Sequence, residues 1–309
     1  MMKAIVQDGY GDAGVLRLAD VPVPAIGPDD VLVGVCAAGV DRGTWHAMTG
    51  LPLIGRLGFG LRGPRRPVLG YDLSGVVHAV GAKVTGLRAG DEVFGTGAGA
   101  WAEFARARAT KVIAKPAGLG FAEAAALPTS GATARRMLGD RGGRVLVIGA
   151  GGGVGTFAVL LAKARGDHVT AVCSTGKADL VRRLGADAVV DYTREPLTGR
   201  YDLVVDLAGN RPLPLLTGLL APRGTLVIAG GEEGGRFFGG LGRNLRALAT
   251  SPFSGYTLKA PIALVSRADL AALTAVRPAV DRTYPLAEAA DAMRRLAGGQ
   301  AAGKLVLVI

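Results

Sequence analysis

Two cysteines and three histidines in 309 residues leave neither a disulfide framework nor a four-cysteine zinc site. Aromatic residues are scarce at 5%, and charged residues reach only 20% against 49% apolar, a globular and not a disordered balance. No secretory leader is recognisable, because Lys3 and Asp8 interrupt the N-terminus before an apolar run develops. A cytoplasmic location is the expectation. Apolar runs of membrane length are also lacking, with one mimic. Val145–Ala162 carries no charge, but glycines 149, 151, 152, 153 and 155 cluster at its centre. A strand, a glycine turn and a helix explain that stretch better than a bilayer span. The net charge of +11 has no focus either. Residues 119–251 hold 16 basic and 11 acidic side chains, and the remainder 20 and 14. With no basic tail and no interleaved aromatic platform, nucleic acid is not an expected partner, nor is a membrane.

What is abundant is glycine, at 49 residues, in a chain long enough for about two domains. Residues 1–116 read as all-β: short apolar runs at Lys3–Gln7, Val15–Ala19, Asp30–Val40, Asp72–Val80, Glu92–Phe94, Trp101–Ala105 and Lys111–Ala114 alternate with Gly, Pro and Asp turns. That is the rhythm of an antiparallel barrel or sandwich. From about residue 121 the pattern changes to helices (121–126, 132–138, 154–165, 178–184) alternating with strands (144–148, 168–173, 188–190, 203–207, 225–229). Alternation of this kind predicts a doubly wound parallel sheet, a Rossmann-type α/β domain. A strand at 258–265, helices at 269–276 and 287–297 and a last strand at 304–309 return the chain to the β part. The expected division is therefore 1–118 with 252–309 for a substrate domain, and 119–251 for a dinucleotide domain.

The run Ile148-Gly149-Ala150-Gly151-Gly152-Gly153-Val154-Gly155 lies between a buried strand and an apolar helix. Glycines let such a turn fold tightly and let a pyrophosphate approach the backbone, while the helix start offers unpaired N–H groups and partial positive charge. The following strand ends in Ser174-Thr175-Gly176-Lys177, without an Asp or Glu to hold a free ribose 2′-hydroxyl. Hydroxyls and a lysine suit a 2′-phosphate instead, so NADPH is expected over NADH.

Across nearly its whole length the chain resembles the medium-chain dehydrogenase/reductase superfamily, on its zinc-free quinone oxidoreductase side. The resemblance rests on Gly70-Tyr71-Asp72-Leu73-Ser74-Gly75, Ala89-Gly90-Asp91-Glu92-Val93-Phe94-Gly95, Ala126-Leu127-Pro128, Gly152-Gly153-Val154-Gly155, Leu184-Gly185-Ala186-Asp187, Tyr201-Asp202-Leu203-Val204-Val205-Asp206 and Gly303-Lys304. It implies a GroES-like β-barrel substrate domain around the Rossmann domain, usually in a homodimer. It further implies Gly152, Gly153 and Val154 at the pyrophosphate; Ser174, Thr175, Lys177 and Tyr192 about the 2′-phosphate; and Thr133 near the phosphates or nicotinamide. Ala208 and Gly209 would line the adenine–ribose edge, and Ala229 and Gly230 the nicotinamide end.

Zinc-dependent relatives place a cysteine where this chain has Asp41, and histidine and glutamate where it has Tyr71 and Asp72. With about three ligands needed, a catalytic zinc is not expected. Zinc-free relatives commonly have Asn at Asp41, a position facing the nicotinamide. The segments 138–143 and 269–277 are shorter than is typical, so a substrate does not transfer from the family. Without a Lewis acid, hydride delivery to a quinone or an α,β-unsaturated carbonyl is the easier chemistry, because the negative charge spreads over a hydroquinone or enolate. The candidate proton donors are Asp41, Thr44, His46 and Tyr71. Each has an ordinary alternative: Tyr71 as a core tyrosine, Asp41 as a turn cap, His46 as a surface histidine beside Trp45. Between Arg42 and Tyr71 five arginines and no acid are interspersed with apolar residues. That segment reads as a solvated loop or as a lid over an apolar substrate with an anionic group. A tailoring enzyme with a specialised enoyl or non-redox reaction, and a catalytically silent NADPH binder, remain as rival readings.

Overall fold

The computed structural model describes residues 1–229, 235–251, 255–262 and 264–309. Two compact units emerge, Met1–Ala132 with Leu264–Ile309, and Thr133–Ala263.

In the first unit β1 (Met2–Val6) and β2 (Arg17–Val21) form a hairpin-like pair. The long β3 (Asp30–Val40) is the hub of the main sheet. From it the chain enters α1 (Arg42–Thr49) and the single turn α2 (Arg56–Phe59), then returns as β4 (Asp72–Val80), β5 (Glu92–Thr96), β6 (Phe104–Arg108) and β7 (Val112–Ala114). One edge of β3 pairs with β4 throughout, and the other is shared between β6 and the C-terminal strand. The core beneath holds Val33, Leu73, Val93 and Trp101, all fully buried. Trp101 lies outside any strand, although the expected strand began there. Its indole N–H donates to the Gly39 carbonyl at 3.1 Å, and Gly70, at φ +91°, has no side chain to obstruct it. The segment 42–71 is not plain loop: Asp41 caps α1.

The helices α3 (Phe121–Ala126) and α4 (Pro128–Leu138) follow. The units divide at 132/133, inside α4, and not at 118/119, because Ala125 and Ala126 pack with Ala37 and Val306 of the first unit.

The second unit begins with β8 (Arg144–Ile148), α5 (Gly153–Ala164), β9 (His168–Cys173), α6 (Ala178–Arg183) and β10 (Ala188–Asp191). It continues through β11 (Tyr201–Asp206), α7 (Leu213–Gly218), β12 (Leu220–Ile228), α8 (Leu241–Thr250) and β13 (Thr257–Lys259). The six strands are all parallel in the order β10-β9-β8-β11-β12-β13. That order reverses direction between β8 and β11, and ligands of such sheets bind at the strand ends beside this switch point. Of the strand expected at 258–265 the structure forms Thr257–Lys259, and Pro261 cannot donate to a ladder; residue 263 lies outside the described residues. Its pairing with β12 puts the second division at 263/264 and not 251/252.

The chain finishes in the first unit with α9 (Arg267–Ala272), β14 (Val280–Pro285), α10 (Ala289–Ala297) and β15 (Lys304–Val308). β14, not foreseen from the sequence, runs parallel to β15. Among the described residues no helix is long and apolar enough to cross a membrane.

Candidate active site

At the switch point the glycine turn has the shape its composition demands. Gly149 takes φ +83°, and Gly149 and Ala150 both donate to the Val172 carbonyl, which folds the turn back on β9. A Cβ on Gly155 would strike the Gly149 carbonyl and the Ala150 backbone, so only glycine lets α5 sit this close to β8. Gly152 precedes the helix without a side-chain cap. The first-turn amides of Gly153, Val154 and Gly155 therefore have no helical acceptor.

Around this turn runs a groove lined by Gly149, Gly151, Gly152, Ser174, Lys177, Tyr192 and Ala208, together with Ile148, Cys173, Asn210 and Arg211. The Lys177 stem lies where a Gly151 side chain would stand. Asp206, fully buried, accepts from the Gly209 N–H at 3.1 Å and so shapes the Ala208–Gly209 turn; Gly209 has φ +73°. Its other oxygen is 2.5 Å from Arg243 Nη2 on α8. Burial holds the Cys173 thiol up, and Asp191 adds to this, so it is no nucleophile. Cys36 is half-buried, and burial raises its thiol too.

Not every expected contact falls on the groove. The Thr175 hydroxyl is spent on Asp191 Oδ2 at 2.5 Å, with Thr193 beside it. These hydroxyl bonds hold the Asp191 carboxyl below the usual carboxylate range. Thr133, on α4, and Ala229, after β12, are outside the groove lining; Gly230 lies outside the described residues. Asn210 and Arg211 were missed by the sequence reading. Arg211 Nε is buried without a partner, and its guanidinium sits 5.5 Å from the Tyr192 ring centre. The signal was an arginine two residues past the glycine that ends the β11 turn. These features fit a phosphorylated dinucleotide. Bare glycine backbone and a helix start would suit a diphosphate, and Lys177, Ser174 and the orphaned Arg211 Nε would be donors for an extra anion.

In the first unit, Asp41, Thr44, His46 and Tyr71 bracket the 42–71 excursion. Asp41 Oδ1 accepts from the Thr44 N–H at 2.8 Å and from the Thr44 hydroxyl at 3.2 Å, while Oδ2 is buried with no partner. His46 Nδ1 is 2.6 Å from the Leu51 carbonyl and must carry the hydrogen; the ring meets Trp45 edge-on. The Tyr71 phenol is pushed up by burial, against Arg66, with Asp41 and Tyr10 adding to the rise.

Beneath them lies a pair the sequence reading did not single out. Asp72 is fully buried and accepts from the Thr129 N–H at 3.1 Å and hydroxyl at 2.5 Å. Lys304, also buried, stands 4.0 Å from Asp72 and donates to the Ser130 hydroxyl at 3.0 Å. Burial, then the charge of Asp41, push the Asp72 carboxyl up to about 7, against Lys304 and Thr129. Gly39 makes room for it: a Cβ there would be 2.9 Å from the Asp72 Cβ. Among the described residues no group of three His, Cys, Asp or Glu is placed to hold a metal ion.

Comparison with known proteins gives the class. Residues 27–134 match the alcohol dehydrogenase GroES-like domain family and residues 184–307 the zinc-binding dehydrogenase family. A mitochondrial NAD(P)H oxidoreductase of Danio rerio is 32% identical, over 100% of this chain and 92% of that one. The chloroplastic NADPH-dependent alkenal/one oxidoreductase of Arabidopsis thaliana is also 32% identical, over 99% and 79%. The quinone oxidoreductase structure from Coxiella burnetii superposes with a TM-score of 0.87 at 27% identity, covering 100% of this chain and 99% of that one. The chain belongs to the medium-chain dehydrogenase/reductase superfamily, in its quinone-oxidoreductase-like branch.

Proposed function

We propose that the protein is an NADPH-dependent, zinc-independent reductase of quinones or α,β-unsaturated carbonyl compounds. The observation that carries this is the glycine groove, whose adenosine end gathers Lys177, Ser174 and Arg211 in place of an acid on β9. When bound, NADPH supplies the hydride that adds to the conjugated acceptor, and the acceptor then needs a proton.

Of the four candidates, Tyr71 fits that donation best. Thr44 gives its hydrogen to Asp41. His46 commits its Nδ1 hydrogen to the Leu51 carbonyl. Tyr71 is half-buried and its raised phenol stays protonated across neutral pH. Asp41 holds the start of α1 and leaves one oxygen to receive a hydrogen bond from a bound acceptor. Tyr71→Phe lowers kcat about 100-fold with little change in KM. An equal loss in kcat and in NADPH affinity would speak for a structural tyrosine.

Lys177→Ala weakens NADPH binding by roughly 1.5–3 kcal/mol, the scale of a hydrogen bond to a charged group, and leaves NADH nearly unaffected. Equal losses for both dinucleotides refute the 2′-phosphate assignment. NADPH oxidation followed with a panel of quinones and enones tests the whole reading. Turnover supports it, while NADPH binding without turnover on any acceptor favours a silent binder. Turnover confined to enoyl thioesters favours a biosynthetic tailoring enzyme.

A cytoplasmic homodimer is the accompanying reading. The homodimer is supported by β13 at the sheet edge and by exposed Phe237, Phe238, Leu245 and Leu248 in the same unit. Sedimentation velocity decides it.

A further inference from the structure

The excursion between Asp41 and Tyr71 leaves the first unit's polar cluster and returns to it, so whatever it binds is held beside those groups. It is a built surface. The Tyr10 hydroxyl donates to the Gly60 carbonyl at 2.6 Å, and Gly11 N–H to Met48 at 3.2 Å. Arg56 covers the Tyr10 ring at 4.4 Å and donates to the Gly50 carbonyl. On this support stand exposed Leu57 and Leu61 together with exposed Arg62, Arg65 and Arg66. Residues 42–71 contain no acid, and none of these three arginines has a carboxylate at ion-pair distance among the described residues. The charge of Arg66 acts on Tyr71 and that of Arg65 on Tyr10. Uncompensated guanidinium groups beside apolar side chains form a receptor for an anion on an apolar body.

We propose that this surface selects acceptors bearing an anionic group, a carboxylate or a phosphate, with Arg65 and Arg66 as the specificity-determining residues. This rests on the reductase reading above and names its substrate class.

The test compares an aliphatic enone carrying a terminal carboxylate beyond a saturated spacer, its methyl ester, and crotonyl-coenzyme A. Steady-state rates are measured with the wild type and an Arg65→Ala/Arg66→Ala variant. Binding of the saturated acid and its methyl ester is measured in parallel by calorimetry. The expected result is a kcat/KM for an anionic acceptor above that of the ester, with the ratio falling about tenfold in the variant. Preference for the free acid identifies a carboxylate, and preference for the thioester a phosphate. Use of the ester as efficient as that of both the acid and the thioester, or a ratio unchanged in the variant, overturns the proposal and leaves the reductase reading intact. So does a loss confined to NADPH affinity, which would give the arginines to the cofactor. If none of these three acceptors is reduced, the reductase reading is decided by the quinone and enone panel, and the calorimetric preference for acid over ester alone still upholds or overturns the anion surface.

Discussion

Replacing Lys304 by methionine lowers the unfolding free energy by about 3–5 kcal/mol at pH 8, the range for removing one partner of a buried charge pair. Lys304 and Asp72 are both buried, and no other cation acts on Asp72. The pH dependence carries the more specific signature. The Asp72 carboxyl stands at about 7 in the folded protein and at about 3.9 in an unfolded chain. As pH rises the unfolded state gives up this proton first. The contribution of Asp72 to stability is therefore fully present below about pH 4 and lost as pH rises through 7, by roughly 4 kcal/mol in total. At pH 5 Asp72 is neutral and needs its cation less, so Lys304→Met costs less there than at pH 8. Asp72→Asn flattens the pH profile of the urea midpoint between pH 5 and 8. A Lys304→Met loss identical at the two pH values contradicts this account of the pair.

Gly155→Val is expected to be nearly as severe, and at the other unit. The new Cβ meets backbone, the Gly149 carbonyl and Ala150, and no rotamer relieves that. Either α5 retreats from β8 or the glycine turn opens. Stability falls by about 3 kcal/mol, at the upper end for overpacking, and NADPH affinity falls by more than about tenfold because the α5 amides move with the helix. Gly176→Ala is the control: nothing lies within 4 Å of its Cβ, and its φ needs no glycine. A Gly155→Val protein that binds NADPH like the wild type would show that the close approach does not shape the site.

The dinucleotide half was legible because parallel strands covered on both faces read as nearly continuous apolar runs; Val145–Ile148 is unbroken, and Val169–Cys173 is interrupted only by Thr170. The helices α7 and α8 escaped. α7 follows Pro212, carries Pro214 at its second position and spans only six residues, and α8 mixes arginine, asparagine, glycine and threonine with leucine and alanine. Asp41 was readable as a cap, which it is; that its second oxygen stays unpartnered is a property of packing alone. Asp72 and Lys304 lie more than 200 residues apart in the chain. Only the register brings them together, with Leu73 opposite Ala38 on β3 and Val306 opposite Gly39 on the same strand. Nothing local announces such a pair. Arg211 was hidden for a different reason: a loop arginine before a proline looks solvated until its Nε proves to be buried.

In the function proposed above, the glycine turn, with Lys177 and Arg211 beside it, holds NADPH. Calorimetric titration of the purified protein with NADPH and with NADH tests this most directly. The account predicts one NADPH per chain, bound at least about tenfold more tightly than NADH, the equivalent of 1.4 kcal/mol. No heat with either dinucleotide, or a preference for NADH, would contradict it.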